Sequence, residues 1–143
     1  MKKILLLLFT VIVFASCSSD DDSGDANTND FEQIETILPQ GEWEVSKFME
    51  GASDNTNEFE SFVFTFDEDG TVVAQNDLFA ENGTWTYDNS STNEELVLVF
   101  GQTTPFDRIN DDWVILSVSN SKIELSGTDS SNGELDLLTF TKL

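Results

Sequence analysis

From Gly41 to the end of the chain, apolar and polar residues alternate with a period of two, the signature of strands with one buried face. The alternation predicts eight strands. The first runs near Gly41 to Met49 and carries Trp43 and Val45. The second spans Phe59 to Asp67, with Phe62, Phe64 and Phe66 on one face. "DEDG" at Asp67 to Gly70 reads as a hairpin turn into a third strand, Thr71 to Gln75. Asn82-Gly83 reads as a turn before a fourth, which carries Trp85 and Tyr87 on one face. Leu96, Leu98 and Phe100 mark the fifth. The sixth places Trp113, Ile115 and Ser117 on one face and Val114, Leu116 and Val118 on the other. Ile123 and Leu125 mark the seventh, and Glu134 to Lys142 is the eighth.

Just before the strands the period is helical: Phe31, Ile34 and Leu38. Asp30 and Gln33 stand at capping-box spacing, so one short helix of about two turns is expected, ended by Pro39 and Gly41. With no long crossover helix, the sheet is expected to be antiparallel. Eight strands in up-and-down order can close into a barrel, which removes exposed edges and leaves room for packed side chains or one small ligand. The predicted fold is therefore all-β: an eight-stranded antiparallel barrel preceded by one short helix, over residues 31–143.

Ahead of that domain the pattern is different again. Met1-Lys2-Lys3 is a positive start, Ile4 to Phe14 is apolar but for Thr10, and Ala15-Ser16 are small. This is the layout of a secretory signal peptide over residues 1–16. The apolar run is well short of the roughly 20 residues that span a bilayer. "FASC" then resembles the lipobox of bacterial lipoproteins, with Phe14 where leucine is commoner. The resemblance implies cleavage before Cys17 and acylation of its thiol. Acyl chains would hold the chain on a membrane, at about 0.8 kcal/mol per buried CH₂. Ser18, Ser19, Asp20, Asp21 and Asp22 follow directly. A serine and an acidic cluster in that place resemble the export signal of lipoproteins in one large group of Gram-negative bacteria. That implies the outer membrane, facing the cell exterior. Residues 17–30 hold Ala26 as the one apolar side chain after the cysteine, and are expected to form a flexible acidic tether.

Charge narrows the partners. The chain has 28 acidic and 6 basic residues and a net charge of −22. Such a chain repels phosphate backbones, so no nucleic-acid partner is expected. Its aromatic content of 11% is too high for an acidic disordered chain, so the acids must coat a real core. One cysteine and no histidine rule out an internal disulfide and the usual Ser-His-Asp or Cys-His sites, and disfavour zinc. No metal, no cofactor and no enzyme activity are expected. A monomer is expected. Asp67, Glu68 and Asp69, which lack the ligand count and spacing of a calcium-binding hand, and Asp107, Asn110, Asp111 and Asp112 read as solvated loop acids, with weak calcium binding at millimolar levels as the alternative.

"GEWEV", "FVFTFDEDGTV", "NGTWTYD", "WVILSVS", "IEL" and a closing "LLTFTKL" follow one another from Gly41 to Leu143. In that order they resemble the lipocalin-like domains of bacterial surface lipoproteins, over roughly Leu38 to Leu143. The resemblance implies a calyx-like barrel in which a basic residue of the last strand, here Lys142, packs across Trp43 of the Gly-x-Trp motif. It implies no particular ligand. Two functions stay open. One is binding of a small hydrophobic or aromatic molecule, for which Phe62, Phe64, Trp85, Tyr87 and Trp113 are the candidate contacts. The other is a structural or accessory role in a cell-surface assembly, with those same rings filling the barrel.

Overall fold

A computed structural model describes residues 33–129 and 132–143. The expected signal peptide, Cys17, the acidic run Ser18–Asp22, the tether and the Asp30–Phe31 start of the predicted helix lie outside the described residues.

Helix α1 (Ile34–Ile37) is a single turn, and it continues as a 3₁₀ turn over Leu38–Gln40. Pro39 sits inside that 3₁₀ turn instead of ending the helix, at a position where no backbone N–H is required. Ile34, Ile37 and Leu38 are buried. The strands follow: β1 (Glu42–Glu50), β2 (Ser53–Asp54), β3 (Val63–Phe66), β4 (Thr71–Gln75), β5 (Ala80–Asp88), β6 (Glu95–Val99), β7 (Asp111–Val118), β8 (Lys122–Thr128) and β9 (Leu135–Lys142).

Every pairing is antiparallel: β1 pairs β2 and β3, each later strand pairs the next, and β1 also pairs β9, which closes the sheet. β1 meets β9 at seven positions, from Trp43 opposite Lys142 to Glu50 opposite Asp136. It meets β3 at two, Glu42 opposite Thr65 and Trp43 opposite Phe64. The two-residue β2 is a flap on the end of β1, so eight strands make the barrel and the ninth is an appendage. The expected fold class is the observed one.

Two bulges set which side chains point inward. Ser46 is the extra residue in β1, between Val45 opposite Phe140 and Lys47 opposite Thr139. The inward set therefore steps from Trp43 and Val45 to Phe48, all buried. Leu116 is the extra residue in β7, between Ile115 opposite Leu125 and Ser117 opposite Glu124. Beyond it the faces exchange. Val118 packs on the core, and the Ser117 hydroxyl donates to Glu124 Oε2 at 2.6 Å. The sequence expectation for Ser117 and Val118 is thus reversed, because unbroken alternation does not foresee a bulge.

Two further expectations are corrected. β3 is shorter than Phe59 to Asp67, because Thr56–Glu58 form a 3₁₀ turn and Phe59 closes it. Asn82-Gly83 is not a turn but lies inside β5, opposite Val73 and Val72. The true turn is Asn76 to Phe79, where Asn76 N donates to Phe79 O at 2.9 Å.

The antiparallel order fixes two ends. At the near end β1 begins, beside α1, and the connections 67–70, 89–94 and 119–121 turn back. At the far end lie the connections 51–62, 76–79 and 100–110, and there β8 ends and β9 begins.

Candidate functional site

The far end of the barrel is built from phenylalanine. Phe59 comes from the 3₁₀ turn after β2, Phe79 from the β4–β5 hairpin, and Phe106 from the 3₁₀ turn Phe106–Ile109 between β6 and β7. Phe106 is the hub. Its ring lies 4.9 Å from Phe62, 5.5 Å from Phe100, 6.0 Å from Phe59 and 6.2 Å from Phe79. Most of these contacts are edge-on or tilted, the arrangement that the ring quadrupole favours. Phe59 and Phe106 are fully buried although neither lies on a strand.

A cation holds this plug down. The Arg108 guanidinium pairs with Glu50 of β1 and Glu58 of the 3₁₀ turn, and its Cζ lies 5.5 Å from the Phe48 ring centroid. Asn110 ties the other end of the same connection. Its side-chain oxygen accepts the Phe100 amide, and its Nδ2 donates to the Phe100 carbonyl at 3.2 Å.

The five candidate contacts are not gathered in one patch. Phe64 is fully buried, 5.3 Å from Phe140 and 6.4 Å from Phe106, and Phe62 is partly buried against Phe106. Trp85 belongs to the other side of the molecule: it packs edge-on to Phe66 at 6.0 Å, and its Nε1 donates to Asp67 O at 2.9 Å. Tyr87 is partly buried against the core. Trp113 is 1% exposed, with Nε1 donating to Ile109 O at 3.0 Å. It fits because Gly127 stands opposite: a Cβ there would come within 3.2 Å of Trp113 Cζ3. Trp43 and Lys142 do meet, with Nζ 5.6 Å from the ring centroid.

Open hollows lie at both ends of the barrel. One, of about 340 Å³, lies at the far end between Ser61, Val63 and the β4–β5 turn Gln75–Leu78. The other, of about 370 Å³, lies at the near end between the loop Asn89–Glu94 and Val114–Ile115. Neither is lined by Phe62, Phe64, Trp85, Tyr87 or Trp113.

Of the acids expected in solvated loops, Asp69 serves its own turn, whereas Asp111 and Asp112 open β7. The Thr71 side chain first, and then its amide, which donates to Asp69 Oδ1 at 2.9 Å, hold the Asp69 carboxyl below the usual range, and Gly70 takes the positive φ of 87° that the turn needs. Asp111 is pushed up, first by burial and then by its neighbours Asp112 and Asp136.

Sequence reading missed Phe59, Phe79, Phe106 and Arg108. The signal was present for two of them: Phe59 and Phe106 stand alone among turn-forming residues, in "TNEFES" and "TTPFDR". A large apolar side chain with no strand around it has to pack as a plug.

No family model and no curated protein matches the chain. Among solved structures it is similar to a DUF4847 family protein from Bacteroides vulgatus ATCC 8482. The TM-score is 0.52 at 17% identity, over 76% of this chain and 96% of that one. At that identity the likeness is one of fold.

Proposed function

We propose that the chain is a lipoprotein whose barrel is an accessory component of a cell-surface protein assembly. It is cleaved before Cys17, acylated on that thiol, and displayed on the exterior face of the outer membrane of a Gram-negative bacterium. Ser18, Ser19, Asp20, Asp21 and Asp22 act as the export signal. The role is one of binding, not catalysis.

The observation that carries the assembly reading is the filled interior. Trp43, Phe64, Phe66, Trp113 and Phe140 are all 0–1% exposed. Phe140 bridges Phe64 and Phe66 at 5.3 and 5.5 Å. A small-molecule pocket needs an open volume of about 300 Å³ or more, and the hollows at the two ends are not lined by these rings. Recognition then belongs to the outer surface and the loops.

A small-ligand reading has one observation in its favour. Phe62 is partly buried and Phe79 is 41% exposed, so the phenylalanine cluster reaches the surface.

One set of measurements tests both readings. A fatty-acid probe is expected to label the chain in cells and to fail on Cys17→Ala. Protease shaving is expected to cleave the displayed chain, and less of it when Asp20, Asp21 and Asp22 are replaced by alanine. The apolar dye N-phenyl-1-naphthylamine is expected not to bind the purified chain. Label on Cys17→Ala would overturn the anchor, unchanged shaving the export signal, and saturable one-to-one dye binding the filled-barrel reading.

A further inference from the structure

The β4–β5 hairpin ends in Asn76-Asp77-Leu78-Phe79. Leu78 is 95% exposed and Phe79 41% exposed. A lone exposed leucine means little. This one is followed directly by Phe79, whose ring meets Phe62, and it walls the same hollow as Val63.

The turn is built to present it. Asn76 Oδ1 accepts the amides of Leu78 and Phe79 at 3.0 and 2.9 Å. Asn76 Nδ2 donates to Ser61 Oγ at 3.1 Å, which ties the turn to the neighbouring segment. Below the tip, the Phe79 ring stacks on Phe106 at 6.2 Å and meets Phe62 edge-on at 6.4 Å. Leu78 is thus held out on a rigid base, and a preorganised apolar anchor loses little entropy on binding.

Charge selects the occupant. Asp77, exposed, lies in the tip itself, the exposed Glu60 precedes the Ser61 that Asn76 holds, and Arg108 is already engaged by Glu50 and Glu58. A second copy of a chain with net charge −22 would be repelled. Anionic lipid headgroups would be repelled too. A basic protein surface is attracted.

From this we infer that the Leu78–Phe79 tip is a docking tooth, seated in an apolar pocket of a protein partner whose rim carries lysine or arginine. The inference rests on the reading of the barrel as part of a surface assembly, and it names the surface and the partner's chemistry.

The test uses the full chain in the cells that make it. A photo-crosslinking residue replaces Leu78, and a second chain carries it at Glu35 of α1. Position 78 is expected to crosslink a distinct protein that position 35 does not reach. The purified partner is then expected to bind the full chain with affinity at least about tenfold weaker for Leu78→Ser. Binding is also expected to weaken as salt rises from about 50 to about 500 mM. Leu78→Ser removes no packed contact, and a thermal melt checks that the variant is folded. Crosslinks to lipid or to a second copy would overturn the proposal. So would no product at position 78, equal products from both positions, or binding indifferent to Leu78→Ser or to salt. Shaving the same cells reads display separately. A chain absent from the exterior that still crosslinks its basic partner would overturn the surface reading and leave the docking tooth standing.

Discussion

Gly41, Trp43 and Lys142 act as one unit. Trp43 is 0% exposed, and its Nε1 donates to Leu38 O at 2.9 Å, which binds the helix to the barrel floor. Its loss should cost about 3–5 kcal/mol, a large part of a small domain's total of about 5–15. Lys142 lies across the indole, and Lys142→Ala should cost about 0.5–2 kcal/mol. Gly41 has φ 173°, extended backbone that any residue adopts, so conformational freedom is not why it is glycine. A Cβ there would collide with Lys142 Cε. Gly41→Ala should therefore push the lysine off the ring and cost about as much as Lys142→Ala. In a Lys142→Ala background it should be nearly neutral, since the obstacle is gone. Urea melts of the four chains check this. An equal cost for Gly41→Ala in both backgrounds would refute the shared unit. The pairing of Trp43 with Lys142 was legible in the sequence through the Gly-x-Trp pattern. The reason for the glycine was not, because it depends on a side chain 101 positions away.

Strands were legible wherever two periods of alternation ran unbroken, and illegible where packing overrode local chemistry. Asn-Gly is a strong turn signal, yet Gly83 sits in mid-strand. The cause lies on the next strand. A Cβ on Gly83 would come 2.7 Å from Phe100 Cδ1 and 2.7 Å from Val99 O. The Phe100 ring covers the glycine, the way an aromatic residue supports a bare backbone in a sheet. One of those obstacles is backbone and cannot step aside. Gly83→Ala should destabilise by about 1–3 kcal/mol, whereas the usual glycine-to-alanine change at an unstrained extended position stabilises. A loss of stability on a denaturant melt is the expected sign, and a gain would mean Phe100 does not pack there. The bulges at Ser46 and Leu116 hid in the same way, because an extra residue reverses every later inward and outward assignment. The far-end plug escaped the reading for a third reason: Phe59, Phe79 and Phe106 come from three separate connections, and only the closed barrel brings them together.

At the scale of the whole molecule, charge opposes the fold. The chain carries 28 carboxylates against 6 cations, and the ion pairs among the described residues are Arg108 with Glu50, Arg108 with Glu58, and Lys122 with Glu124. Mutual repulsion of the remaining acids raises the free energy of the compact state more than that of the expanded chain. The Debye length is about 30 Å at 0.01 M salt, so carboxylates across a small barrel then feel one another. At 0.1 M it is about 10 Å and only neighbours do. Thermal melts of the mature chain carrying Cys17→Ala should shift upward with sodium chloride, by about 4–8 °C for each 1 kcal/mol of repulsion removed. The pH dependence has two signs. Asp111 has a raised folded value, so protonation favours folding, and its part of the stability grows as pH falls through that value. Glu124, held down by Ser117 and Lys122, and Asp54, held down by Thr56, contribute stability above their unfolded values and lose it as pH falls through the lowered folded ones. At low salt, stability should therefore rise as pH drops from neutral toward the carboxylate range, and fall in stronger acid. Salt should flatten the rise, which comes mainly from long-range repulsion, and leave the acid-side fall, which comes from short hydrogen bonds. Asp111→Asn, which keeps an oxygen to accept the Asp112 amide, should shrink the rise and raise the melting temperature at neutral pH. A melting temperature that falls when salt is added at pH 7 would mean that the three cation pairs outweigh the repulsion, and the account of the acidic surface would be wrong.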